Sequence, residues 1–295
     1  MTTPKTLVAA TDFSENATRA VRQAAYLARA WNAQLVLVYV FNDSVWASFR
    51  AVYDLPGWAT ANPIDVARER LQKLGIQIAA EFALRVKTEV RVGRASQQIG
   101  DIVAVRQAEL LVVGEHGENW VSDVVLGGTA LRVLEAARTS VLLVRQGEPE
   151  LYHDIVIATD FSAAARRAAK LVLDCFPAAK LAMIHAWLVP LESSMRMGGA
   201  QEEDIERYRK REFDLAATEL EAFARECEGA AAPERLERLA LHGSPEAVIF
   251  SQVRARGSDL IVIGKHSGRE VSDLLLGSVT QNILYHAECD VLLST

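Results

Sequence analysis

Cysteine is scarce in this chain: Cys175, Cys227 and Cys289 are the only three in 295 residues, odd in number, widely spaced and all in the second half. That excludes a disulfide framework and a metal knuckle, and predicts small buried thiols. Long hydrophobic runs are missing as well. Runs such as Leu35 to Phe41 fall well short of the roughly 18 residues a membrane helix needs, so no segment is expected to cross a bilayer. Met1-Thr2-Thr3-Pro4-Lys5 leads straight into a strand-like run, without the apolar core and small-residue cleavage site of a secretion signal, and a cytoplasmic location is expected. Positive charge is not in excess: 32 Lys+Arg stand against 38 Asp+Glu, a net charge of −6. Residues 1–150 carry 16 of each sign, which leaves 16 basic against 22 acidic residues in the second half. Neither half has the electrostatic footprint of a nucleic-acid binder. Also absent are Gly-x-Gly-x-x-Gly and Gly-x4-Gly-Lys-Ser/Thr, which argues against a dinucleotide-dependent dehydrogenase and a P-loop NTPase.

What the chain does have is a composition able to close a substantial core, with 50% hydrophobic and 24% charged residues, and an internal repeat. Val8-Ala9-Ala10-Thr11-Asp12-Phe13-Ser14 returns as Val156-Ile157-Ala158-Thr159-Asp160-Phe161-Ser162, identical at six of seven positions and offset by 148. Gly114–Ala130 returns as Gly264–Thr280, identical at seven of seventeen and offset by 150. Two matches in the same order at nearly one offset indicate two copies of one domain. Their joint falls in the polar stretch Gln146-Gly147-Glu148-Pro149-Glu150, which predicts domains over residues 1–147 and 151–295.

Within each copy short β-branched runs alternate with helical periods. In the first, strands are predicted at Thr6 to Ala10, Gln34 to Val40, Lys87 to Val92, Leu110 to Val113 and Val141 to Val144, separated by helices at Asn16 to Trp31, Ile64 to Phe82, Ser96 to Arg106 and Thr129 to Ala137. In the second, strands are predicted at Ile155 to Ala158, Leu181 to Ala186, Leu236 to Leu241, Leu260 to Ile263 and Val291 to Leu293. A long charged helix from about Gln201 to Cys227 carries Ile205, Tyr208, Ala216, Leu220, Phe223 and Cys227 on one stripe. Strands that are apolar almost throughout favour a parallel sheet buried on both faces, hence an α/β fold of two doubly wound domains, each a five-stranded parallel sheet flanked by helices.

In such sheets ligands bind beyond the carboxyl ends of the strands, where both repeated motifs fall. Asp12 and Asp160 follow the first strand of each copy, where a carboxylate can accept hydrogen bonds from ribose hydroxyls or a base, or where Asp-Phe-Ser can simply cap the next helix, with Ser14 and Ser162 as caps. Gly114 and Gly264 close the fourth strand, and Gly127 and Gly277 open the fourth helix, whose free N–H groups favour an anion. Ser278, Thr280 and Thr129 are candidate hydroxyl donors, and the competing reading is that the glycines only permit tight turns. His116 and His266 recur inside the loops and can face phosphate or satisfy local carbonyls. His185 is read as structural. No catalytic base with an oriented partner is visible.

These motifs resemble those of the universal stress protein family, and two such domains in tandem cover essentially the whole chain. The resemblance implies an adenine nucleotide alpha hydrolase-like fold and, in nucleotide-binding members, Gly-x2-Gly-x9-Gly-Ser/Thr after the fourth strand, an Asp after the first strand and a small apolar residue ending the second. On that pattern the first copy offers Ala10, Asp12, Val40, Val113, Gly114, Gly117, Gly127, Gly128 and Thr129, with Gly128 standing where the family has Ser/Thr. The second offers Ala158, Asp160, Ala186, Ile263, Gly264, Ser267, Gly268, Gly277, Ser278 and Val279, with Ser267 in place of the second glycine. The first loop keeps both early glycines and reads as the less altered. The ligand implied is ATP or AMP/ADP, with or without Mg, and no redox cofactor, nucleic acid or membrane is expected. An apolar fifth strand must be covered at its edge. The resemblance implies that the last strands of the two copies pair, making an intrachain pseudo-dimer, and a homodimer of chains is compatible with this. The expected function is a nucleotide-binding stress-response or signalling protein without robust catalysis, at most a slow hydrolase. The alternative is an interaction module whose loops are divergent remnants.

Overall fold

The computed structural model describes residues 3–42, 62–116, 126–145, 147–190, 192–228, 235–265 and 276–295. The first copy runs β1 (Thr6–Ala10), α1 (Glu15–Ala30), β2 (Gln34–Phe41), α2 (Pro63–Phe82), β3 (Val86–Val92), α3 (Ala95–Arg106), β4 (Leu110–Gly114), α4 (Gly128–Ala136) and β5 (Ser140–Val144). The second runs β6 (Asp154–Ala158), α5 (Ala163–Cys175), β7 (Lys180–Trp187), α6 (Glu192–Met197), α7 (Glu202–Glu228), β8 (Leu236–His242), α8 (Pro245–Arg256), β9 (Leu260–Gly264), α9 (Ser278–His286) and β10 (Asp290–Ser294). Contacts divide these residues into two compact units. One is the chain up to Leu151 together with Glu288–Leu293, and the other is Tyr152–Ala287.

In the first unit the strand order is β3-β2-β1-β4-β5-β10. The first five strands are parallel, with Thr6 opposite Gln34 on one side of β1 and Leu7 opposite Leu110 on the other. β10 is antiparallel to β5, pairing Val291 with Leu143, Leu292 with Leu142 and Leu293 with Val141. The apolar β5 edge is therefore paired rather than bare. In the second unit β9-β6-β7-β8 are parallel, with β6 flanked by β7 and β9 as β1 is by β2 and β4. Both units thus reverse their winding beside the first strand of the copy, which opens a crevice at its carboxyl end.

The residues explain the elements. Leu7, Val8 and Ala9 of β1 and Ile155, Val156 and Ile157 of β6 are fully buried, as expected of strands covered on both faces. β3 and β8 lie at the far ends of the strand orders and carry Lys87, Glu89 and Arg91, and Glu237 and Arg238, charges that discourage further strand pairing. Helix α1 buries Ala17, Ala20, Ala24, Ala25 and Ala28, small side chains that let it lie close to the sheet. Helix α7 buries Ile205, Ala216, Leu220, Phe223 and Cys227 of the expected stripe, with Tyr208 half-buried. Helix α6 was not legible as a period because it buries no residue. It is held by Arg196 to Glu192 at 3.2 Å and to Glu202 at 2.7 Å, and by Arg209 to Glu192. Among the described residues no helix is long and apolar enough to cross a membrane.

Leu292 is buried opposite Leu142. Truncation to Ala leaves a cavity there, and Leu292→Ala is expected to lower unfolding free energy by about 2–5 kcal/mol in urea titration. All three cysteines are buried and outside any disulfide, and burial pushes the Cys227 thiol up to about 11. Since the thiolate is the reactive form, Cys227 should resist iodoacetamide at pH 8 in the native protein and alkylate promptly in urea.

Candidate functional site

The turn after the first strand is the same in both copies, down to individual hydrogen bonds. Thr11 Oγ1 accepts the Phe13 N–H at 3.0 Å and Asp12 Oδ1 accepts the Ser14 N–H at 3.0 Å; in the second copy Thr159 and Asp160 do so for Phe161 and Ser162 at 2.9 and 3.0 Å. Ser14 and Ser162 then cap α1 and α5, their Oγ atoms accepting the Ala17 and Ala165 N–H groups at 3.2 Å. Capping therefore falls to the serines, while the aspartates brace the turn through one oxygen. Asp12 is half-buried and Asp160 exposed. The geometry holds Phe13 at φ 67° and Phe161 at φ 64°, a region uncommon for bulky residues. Ring contacts offset that cost. Phe13 stacks on Tyr39 with centroids 4.8 Å apart and lies under the Arg70 guanidinium at 4.3 Å. Phe161 stacks on His185 at 4.2 Å and meets Phe223 edge-on at 5.5 Å. His185 Nδ1 bonds the Thr159 carbonyl at 2.9 Å, the structural role expected of it.

The glycines divide into two kinds. Gly114 and Gly264 serve close approach: a Cβ on Gly114 would lie 2.8 Å from the Asn16 backbone, and one on Gly264 would lie 3.1 Å from Ala164 Cβ and the Ala165 nitrogen. They let the capped first turns of α1 and α5 press against the ends of β4 and β9. Gly127 and Gly277 sit at φ −63° and −62°, where any residue is at ease, and serve as N-caps of α4 and α9 without a side-chain cap. Gly128 begins α4 facing open space. The tight-turn reading therefore does not account for these three, and their effect is to leave the first-turn N–H groups uncovered by a side chain. Gly117, His266, Ser267 and Gly268 lie outside the described residues.

In the second copy the sites converge. Ala158, Asp160, Ala186, Ile263, Gly264, Gly277, Ser278 and Val279 line one cavity of about 150 Å³. Its walls also include Ile184, Pro245 and Ile249, which sequence reasoning missed. Pro245 and Ile249 stand four apart at the start of α8, and that spacing directly after Gly243-Ser244 was the available signal. Thr280, read as a hydroxyl donor toward phosphate, lines the cavity but donates its hydroxyl to the Gly264 carbonyl at 3.0 Å. Ser278 is exposed at the first position of α9.

In the first copy the structure places Ala10, Asp12, Val40, Val113 and Gly114 at the carboxyl ends of β1, β2 and β4, with Gly127, Gly128 and Thr129 at the start of α4. The charge beside the loop is reversed between copies, Glu115 standing where the second copy has Lys265. Glu115 pairs with the buried Arg145 guanidinium at 2.9 Å, and its other oxygen lies 3.6 Å from Nδ1 of the buried His116. Burial pulls Arg145 down from its ordinary value and the Glu115 carboxylate opposes this. The Arg145 N–H donates to Asp290 Oδ1 at 2.7 Å. Among the described residues no group of three or more His, Cys, Asp or Glu is placed to hold a metal ion.

Two successive doubly wound α/β units, each with a braced Thr-Asp-Phe-Ser turn beside a glycine-opened helix, define a protein built by duplication. The model of the universal stress protein family matches it twice, over residues 3–145 and 151–294, and the chain belongs to that family. A universal stress protein of Mycolicibacterium smegmatis is 26% identical over 233 residues, which is 77% of this chain and 74% of that one. Another from Methanocaldococcus jannaschii is 26% identical over 148 residues, covering 50% of this chain and 85% of the relative. The crystal structure of a universal stress protein from Archaeoglobus fulgidus superposes with a TM-score of 0.68 at 15% identity, covering 99% of this chain and 98% of that one, which shows a shared fold.

The two kinds of glycine should behave differently. Gly114→Ala puts a methyl against backbone that cannot yield cheaply, and should cost about 1–3 kcal/mol in chemical denaturation. Gly128→Ala, at a helical position in open space, should leave stability unchanged or raise it slightly.

Proposed function

We propose that this stress-protein family member binds an adenine nucleotide in its second copy. The observation that carries this reading is the convergence of eight residues implied by the family resemblance, drawn from three strand ends and one helix start, on one cavity. At about 150 Å³ it is below the roughly 300–1,000 Å³ of sites that enclose a whole drug-sized ligand. It suits a planar base between Ile184, Ala186, Pro245 and Ile249, with ribose and phosphates reaching outward. Asp160 keeps its second carboxylate oxygen for ribose hydroxyls, since Oδ1 is engaged by Ser162. The phosphates then meet the first turn of α9, whose N-cap glycine contributes no side-chain cap. Mg accompanying a triphosphate would be held largely by the phosphates and water, with one carboxylate at most, which fits Asp160 as the carboxylate among the described lining residues. His185 also lines the cavity, but its ring is stacked on Phe161 and its Nδ1 is taken up by the Thr159 carbonyl, which favours ligand sensing with at most slow hydrolysis.

The test is isothermal titration of the full chain with ATP. Ala186→Trp fills the base pocket and should abolish the heat, while Val40→Trp, at the matching position of the first copy, should leave it unchanged. The opposite pattern would move the site to the first copy. No binding by the unaltered chain would sink the reading in favour of an interaction module.

A further inference from the structure

The two copies close the base of the glycine loop by different chemistry. In the first, the Gly127 N–H donates to the Glu115 carbonyl at 3.0 Å, the Glu115 side chain is held by Arg145, and Ala130 occupies the third position of α4. In the second, the equivalent backbone bond, from the Gly277 N–H to the Lys265 carbonyl, is long at 3.4 Å. The closure is made instead by Thr280, the counterpart of Ala130, whose hydroxyl donates to the Gly264 carbonyl at 3.0 Å while the residue is only 4% exposed. Gly264 is itself fixed, because its Cα faces the first turn of α5 at a distance that admits no side chain without displacement. Thr280 thus ties the first turn of α9 to the end of β9. It does so on the cavity wall, where the first copy has only the methyl group of Ala130.

We propose that Thr280 is a positioning residue that aims the amino end of α9 at the phosphate chain of the bound nucleotide, making the second copy the polyphosphate-binding one. This rests on the cavity reading above. The Thr280 hydroxyl is committed to Gly264, so its effect reaches the ligand through the orientation of the α9 N–H groups. Base and ribose are held by other elements: Ala186 on β7, Pro245 and Ile249 on α8, and Asp160 after β6. Loss of the tie therefore separates the two parts of the ligand. Adenosine keeps all of its contacts, whereas ATP loses the alignment of the helix end with its phosphates. Beside the loop the second copy sets Lys265 where the first has Glu115, a carboxylate already engaged by Arg145.

The experiment compares ATP with adenosine on the full-length chain by isothermal titration at fixed salt, for Thr280→Val, Thr280→Ala and Thr280→Ser, with folding checked by urea midpoint. A net buried hydrogen bond is worth about 0.5–1.5 kcal/mol, so ATP affinity should fall roughly 2–12-fold in the Val and Ala variants with adenosine affinity unchanged, and Ser should restore it. A purely structural hydroxyl would weaken both ligands in parallel or neither, and either result overturns the inference alone. If the unaltered chain takes up neither ligand, the cavity reading falls and the inference falls with it.

Discussion

Parallel strands cannot be joined by a tight turn, so the connections between the parallel strands of each copy must cross a face of the sheet, and each crossover returns the chain to the same end of it. Most of what distinguishes this protein follows from that constraint. It buries both faces of β1 and β6, fills them with aliphatic residues and gathers the loops that follow the strands at one end. Where the winding reverses beside β1 or β6, the crossover helices leave to opposite sides and a crevice stays open between them. Neither Asp160 nor Gly277 would be near the other in an antiparallel sheet of the same sequence.

Around that crevice the chain uses rigidity rather than breadth. Each Thr-Asp-Phe-Ser turn satisfies its backbone donors with its own side chains, and it keeps an aromatic residue in the left-handed region by stacking it on a neighbouring strand. The helix that follows is capped within the same four residues and is pressed onto a strand end that only glycine permits. Strained and over-determined backbone of this kind is common where a binding edge must hold its shape. The copies share this frame and differ in what they set beside it. Arg70 lies over the phenylalanine in the first, and Phe223 packs against it in the second.

Much of this was legible in the sequence. The span of β1 matched the prediction, and the other strands agreed to within a residue or two at each end, because buried parallel strands announce themselves as unbroken β-branched runs. Ser14 and Ser162 were recognisable as caps from their place before helical periods. Other features left no one-dimensional trace. Ile184 fell inside a predicted strand and Ile249 in a stretch given no element, and only the fold turns their side chains into cavity walls. Thr280 read as a free hydroxyl because its acceptor, the Gly264 carbonyl, lies sixteen residues away in sequence and is reached only once β9 and α9 have packed. Helix α6 has no apolar period to detect. The first loop read as the less altered because Gly117 preserves the spacing, yet the described cavity lies in the second, whose walls come from elements outside the motif.

The grouping of β10 with the first unit bears on how the chain comes to be folded. Val144 ends β5 and Asp290 begins β10, so nearly the whole second copy is translated between the two strands that pair. At about 5–20 residues per second the ribosome needs roughly 7–29 s for that stretch. During that interval the first copy has its parallel strands in hand but an apolar β5 edge without a neighbour. A nascent chain in this state presents a strand template to any similar chain on the same polysome, and it depends on chaperones or on speed until its own β10 arrives.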